Sequence, residues 1–298
     1  MCNVNSCFGS FSSFISTFFF GRIKTSFLPN QTMIIKTLKM KKILFFALAA
    51  IAFTSCKKDY VEERNGIYKG PVVKVYEGKA WTWIKIKNNG DPEKLAVTLT
   101  DAALNSVPAA GDGHGHEHGD ENSWILKFHP KAAVTPFNHL GMGWNPMGHD
   151  PFPIYGKPHF DFHFYMITPQ QVDAIPPYYV DSLTFKNSPA PQYFPAAHIN
   201  PGGGVPKMGA HWVDVTSSEF NGQSFTQTFI YGSYDGKVTF YEPMITLDFL
   251  KNNNNFQRSI PQPAKVQKTG WYPTKLRVVK HDGVTDIVLD EFVYRVQS

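Results

Sequence analysis

The stretch Pro158-His159-Phe160-Asp161-Phe162-His163-Phe164-Tyr165 alternates strictly between plain hydrophobic rings and groups that can bind a metal or move a proton. Successive side chains on a strand point to opposite faces. Phe160, Phe162 and Phe164 therefore share one face, and His159, Asp161, His163 and Tyr165 share the other. A strand face that merely meets water ordinarily carries Lys, Thr, Glu or Arg. Imidazole, carboxylate and phenol are instead the groups that coordinate divalent metals or act as acid and base near neutrality.

Spacing limits what this face can do alone. Same-face residues two apart lie ~6.6 Å apart along a strand, and those four apart ~13 Å. A regular strand cannot give both His159 and His163 to one ion, although Asp161 can join either, and a bulge would relax the limit. Further ligands must come from elsewhere. His211 stands in Gly-Ala-His-Trp-Val-Asp, with Asp214 on the opposite face of that run. Glu242 ends an apolar strand face with Val238 and Phe240, where an unpaired carboxylate would be costly. His149 precedes Asp150 in a Pro- and Gly-dense stretch. We expect His159, Asp161, His163, His211 and Glu242 to converge on one pocket, with His149 at its edge. Zinc is the first choice of divalent metal for a mixed His/carboxylate set. The competing expectation is a hydrogen-bonded polar cluster that holds a packed loop.

A second histidine group, His114, His116 and His118, falls in a Gly- and acid-rich run. It reads as a mobile solvated loop with weak, adventitious metal affinity. Gly-x-Ser-x-Gly, the Walker phosphate loop and His-Glu-x-x-His are all absent from the sequence.

The elements that must position these residues are short. Val72–Tyr76 and Ala80–Lys87 read as a hairpin, Leu95–Thr100 and Ser123–Phe128 as strands, and Ala102–Val107 as a helical turn. Residues 130–158 read as a packed loop with little regular structure. Thr168 caps a short helix opened by Pro169. Residues 175–208 form a second Pro- and Gly-rich excursion. Phe225–Tyr231 and Lys237–Glu242 flank one turn, and Lys275–Lys280 and Thr285–Leu289 another. Met244–Leu250 reads as one or two helical turns. The pattern predicts a mainly β protein: a single antiparallel β-rich domain, sandwich or barrel-like, with a few short helices and long Pro/Gly-rich loops.

The amino-terminal part reads as an address. Lys41 and Lys42 precede an apolar run of eleven residues, Ile43–Phe53. That is too short to span a bilayer, which takes ~20, and it fits a secretory signal. Ser55 and Cys56 follow at once, an arrangement that resembles the bacterial lipoprotein signal, with Phe53 where Leu is usual. Residues 1–39 are expected to be an upstream extension from a mis-assigned start, 40–55 the signal peptide, 56–66 a tether and 67–298 the β-rich domain. Cys2 and Cys7 fall in the extension, leaving Cys56 as the single thiol of the mature chain.

The formal charge of +5 has the same origin. Arg22, Lys24, Lys36, Lys39, Lys41 and Lys42 all lie in residues 1–56, which hold no acidic residue. The remainder carries 23 basic against 24 acidic residues. A near-neutral body with no basic run gives no electrostatic reason to bind nucleic acid.

The runs GHDPFPIYGKPHFDFHFYMI (148–167), MGAHWVD (208–214) and FIYGSYDGKVTFYEPMIT (229–246) resemble an uncharacterised bacterial domain family. That family is typified by a sigma-E-controlled envelope protein of Thermus and is common in lipoproteins of the Bacteroidota. The resemblance covers roughly residues 68–296, and the PHFDFHFY and EPMIT blocks are its specific part. It implies a β-rich fold and a life in the cell envelope, and it groups His149, His159, Asp161, His163, His211 and Glu242 without giving them a role. The resulting expectation is a lipid-anchored envelope protein that binds a divalent metal or small ligand. The membrane is its partner through the lipid on Cys56, the outer membrane before the inner. The alternatives are a metal-dependent hydrolase or hydratase, and a structural or stress-response protein that forms homo-oligomers.

Overall fold

Among the described residues, fourteen strands form two antiparallel sheets of seven strands each, with a handful of short helices. The computed structural model describes residues 66–109 and 122–298. The predicted signal, tether and lipidation site at Cys56 lie outside these residues, as do His114, His116 and His118.

The first sheet runs in the order β1 (Ile67–Lys69), β3 (Gly78–Ile86), β4 (Pro92–Thr100), β14 (Val284–Arg295), β13 (Gly270–His281) and β12 (Asn255–Ser259), with β2 (Val73–Val75) also paired to β3. The second runs β5 (Ser123–Lys127), β6 (His139–Asn145), β7 (His159–Tyr165), β11 (Lys237–Thr246), β10 (Gln227–Tyr234), β9 (Ala210–Asp214) and β8 (His198–Ile199). The helices are α1 (Asp101–Asn105), α2 (Phe152–Tyr155), α3 (Pro169–Asp173), α4 (Ser182–Lys186) and α5 (Leu247–Asn252). The protein is thus mainly β, and among the described residues neither sheet closes into a barrel.

The long hairpins are closed by residues suited to type I′ turns, which need positive φ at both central positions. Asp235 and Gly236 (φ 49° and 70°) join β10 to β11, and Asp282 and Gly283 (φ 44° and 78°) join β13 to β14. The two sheets pack face to face through one apolar core. Ile84, Leu95, Val97 and Leu289 of the first meet Leu140, Phe162, Phe229 and Tyr241 of the second. Phe160, Phe162 and Phe164 are fully buried in that core. Each such side chain contributes about 1.5–3 kcal/mol by leaving water.

Strand β7 is central in its sheet and buried along its whole length. Its polar face is not solvated, because segments following β6 and preceding β9 cover it. Here the structure departs from the sequence reading. Residues 130–158 contain β6, paired with β7 in register from His139↔Tyr165 to Asn145↔His159. Gly141 and Gly143 mask the strand by lowering its β-propensity. They alternate with Leu140, Met142 and Trp144, which face the core, and they stand opposite His163 and Asp161. A Cβ on Gly141 would come within 2.8 Å of the Tyr165 ring. Strand β6 therefore yields side-chain space to the groups on β7. Residues 244–246 continue β11, and the helix predicted over 244–250 begins only at Leu247, with Thr246 accepting from the Phe249 amide as its cap.

Candidate metal centre

The six residues singled out in the sequence gather as two groups of three. His149, His159 and Asp161 form one, and His163, His211 and Glu242 the other. In each, one ligand atom per residue lies within 4.8 Å of the others, so each group could hold a metal ion. His159 and His163 fall in different groups, as the spacing along β7 requires.

The first group is organised from the backbone outward. The His159 Nδ1 lies 2.6 Å from the Lys157 carbonyl, and the His149 Nδ1 lies 2.8 Å from the Asp150 carbonyl. A carbonyl only accepts, so both Nδ1 atoms carry the proton. Both Nε2 atoms then point at one carboxylate. His159 Nε2 is 3.1 Å from Asp161 Oδ1, and His149 Nε2 is 3.5 Å from Asp161 Oδ2. Asn145 donates to Asp161 Oδ2 at 2.7 Å and fixes the carboxylate. Asp161 Oδ1 is buried without a hydrogen bond.

His149 reaches this position on a tight loop. Gly148 has φ 74°, and a Cβ there would sit 2.1 Å from the Tyr155 carbonyl oxygen. That carbonyl accepts from the amides of His149 and Lys157, closing the segment over His159. The His159 ring in turn stands edge-on to Phe225, 5.3 Å away.

The second group crosses three strands. Register places Glu242 of β11 opposite His163 of β7, between the pairs Tyr241↔Phe164 and Met244↔Asp161. His163 Nε2 lies 3.3 Å from Glu242 Oε1. His211, on β9, reaches Glu242 Oε2 at 3.8 Å past Gly232 of β10. Gly232 carries no side chain for a reason: a Cβ there would be 2.0 Å from the Phe240 ring. Phe240 packs against both imidazoles, 4.9 Å from His163 and 5.4 Å from His211. A stack of His139, Tyr165 and His163 supports the ring from the other side, with centroids 5.0 and 5.4 Å apart. Tyr165 is pinned by donating to the Lys207 carbonyl at 3.1 Å.

These separations accommodate a metal ion. A charge-assisted N–H···O bond is about 2.7–2.9 Å long. Adjacent ligands in a tetrahedral zinc shell with bonds near 2.0–2.1 Å lie ~3.3 Å apart. The four nitrogen–oxygen distances run from 3.1 to 3.8 Å and match the second figure better. The tie from each first-group Nδ1 to a backbone carbonyl is the support that metal-bound imidazoles ordinarily have.

Electrostatics in the pair is lopsided. Burial pushes the Asp161 carboxyl up, but His159 and His149 outweigh it and hold the group well below the usual carboxylate range. Burial opposes charge on His149 as well, and Asp161 more than offsets it, so its pKa rises. Glu242 is pushed well above the carboxylate range by burial, with the Asp161 charge adding to the shift.

Both groups open onto one cavity of about 640 Å³, whose wall includes His149, Asp161, His211 and Glu242. His159 and His163 are buried behind that wall. Asn145, Tyr155 and His139 also belong to the site and escaped the sequence reading. The first and last lie on β6, whose strand signal the glycines obscure. Tyr155 lines the cavity with a buried hydroxyl that has no hydrogen bond. Asp214 takes no part. It accepts from Thr216 at 2.6 Å and lies 3.8 Å from Arg258, on the other face of β9 from His211.

Compared with family models, with curated proteins and with solved structures, the chain matches none.

Proposed function

We propose that this is a lipid-anchored protein of the bacterial cell envelope that binds a divalent metal, zinc first, in the two triads. The observation that carries the metal reading is the pair of imidazoles whose Nδ1 protons are held by backbone carbonyls while both Nε2 atoms converge on Asp161. A proton or a cation must stand between those groups, and the distances favour a cation. The anchoring rests on the signal-like run before Cys56 and on the resemblance to envelope lipoproteins. A second reading, a metal-dependent hydrolase or hydratase, is favoured by one feature. Each triad offers three protein ligands beside a cavity, the arrangement in which zinc keeps a position free and acts as a Lewis acid.

Elemental analysis of the purified protein tests the metal. Bound zinc that chelator removes, with a fall in Tm, supports the reading; a metal-free protein indifferent to both zinc and chelator overturns it. Cys56→Ser tests the anchor. The wild type should partition into detergent and the variant should not, and equal partitioning overturns the lipid attachment.

A further inference from the structure

We propose that the two triads form one paired centre and that the cavity above them takes a small organic oxyanion, a carboxylate or phosphoryl compound whose two oxygens span the two ions. This rests on the metal reading above and goes beyond it.

Asp161 and His163 are two apart on one face of β7, and Glu242 stands opposite His163. The triads are therefore offset by one same-face step, ~6.6 Å. Metal pairs bridged by a single oxygen sit about 3.5–4 Å apart. Two bonds of ~2 Å and the ~2.2–2.5 Å between the oxygens of an O–C–O or O–P–O unit reach about 6 Å, so the side chains must bring the ions somewhat closer than the backbone step.

Each triad has two imidazoles and one carboxylate, so a divalent ion leaves each with a net positive charge. Among the described residues the cavity wall carries no lysine or arginine to serve that purpose. An anion is thus welcome when both ions are present.

Gly143 lies opposite Asp161 on β6, and a Cβ there would meet nothing within 4 Å. The gap opens beside the carboxylate where a ligand would sit. Glu242 Oε2 and the Tyr155 hydroxyl are buried there without a hydrogen bond, so the phenol can donate to an anion's oxygen. Met147, Phe152 and Ile230 add apolar wall, which fits an organic body behind the head group. About 640 Å³ lies within the usual range for a small-molecule site.

The test uses the full chain in detergent, loaded with zinc and titrated calorimetrically with acetate, benzoate and phenylphosphonate. The wild type should hold two zinc ions, and Asp161→Asn and Glu242→Gln one each. Benzoate or phenylphosphonate should bind the two-zinc protein one to one and at least about ten-fold more tightly than either one-zinc variant. Neither should bind the metal-free protein, and acetate, lacking the apolar body, should bind more weakly than benzoate. Gly143→Val should keep both ions and lose about ten-fold in benzoate affinity by filling the gap. If two-zinc and one-zinc proteins bind both probes equally, or if neither probe binds the two-zinc protein, the bridging proposal falls and the metal reading stands. If the wild type holds one ion, the pairing falls. If it holds none, both fall.

Discussion

The outer faces of the two sheets obey the same alternation and end up chemically opposite. On the first sheet Lys85 pairs with Glu93, and Lys275 pairs with Glu291, all partly in water. Such pairs are worth about 0–1 kcal/mol each, because solvent screens them. On the second sheet the outward groups are His159, Asp161, His163 and Glu242, none more than 3% exposed. A period-two pattern decides which residues share a face. Whether that face meets water is decided by the segments that lie over it, here those following β6 and preceding β9. The choice of residue type records the difference: long flexible ions where water remains, imidazoles and short carboxylates where it is excluded.

Metal removal should expose this contrast most strongly. A ligand present at about 100 times its Kd stabilises the folded state by about 2.7 kcal/mol. Two occupied triads therefore raise Tm on the order of 10–20 °C for a domain of this size, and calorimetry with and without chelator reads it. Glu242→Gln should change sign of relevance with metal. Without zinc it stays within about 1 kcal/mol of wild type, since burial already favours the neutral carboxyl. With zinc it forfeits about 2.7 kcal/mol.

Gly148→Ala should cost about 1–3 kcal/mol, from its positive φ and the approach of the Tyr155 carbonyl. It should empty the His149 triad and spare the other, which zinc stoichiometry would show as one ion. His139 sharpens the comparison through pH. Burial holds its pKa down to about 4, so the folded protein keeps it neutral while the unfolded chain protonates near 6.5. The unfolded state then binds more protons between these values, and stability falls as pH drops through that window. His139→Gln should flatten that part of the pH–stability curve. Lys85→Ala, on the first sheet, should move stability by no more than about 1 kcal/mol, with or without zinc. A larger or metal-dependent effect there would break the contrast.

Much of the site was legible because PHFDFHFY writes both faces of β7 explicitly, and the ~13 Å between positions four apart then separates His159 from His163. The partition into two triads was not. It depends on Glu242 standing opposite His163 rather than Asp161, which only strand register decides. Strand β6 was hidden because Gly141 and Gly143 serve their neighbours' need for room rather than their own propensity. With β6 went Asn145 and His139. Tyr155 could not be found from spacing, since the close turn at Gly148 alone brings it over the sheet. The type I′ hairpins at Asp235-Gly236 and Asp282-Gly283 were readable because their chemistry is local.

Anomalous diffraction at the zinc edge from zinc-loaded crystals tests the central claim most directly. The account predicts two peaks lining one cavity, the first about 2.0–2.2 Å from His149 Nε2, His159 Nε2 and an Asp161 oxygen, the second at the same range from His163, His211 and Glu242. Peaks confined to the surface, or both triads without a peak under saturating zinc, would contradict it.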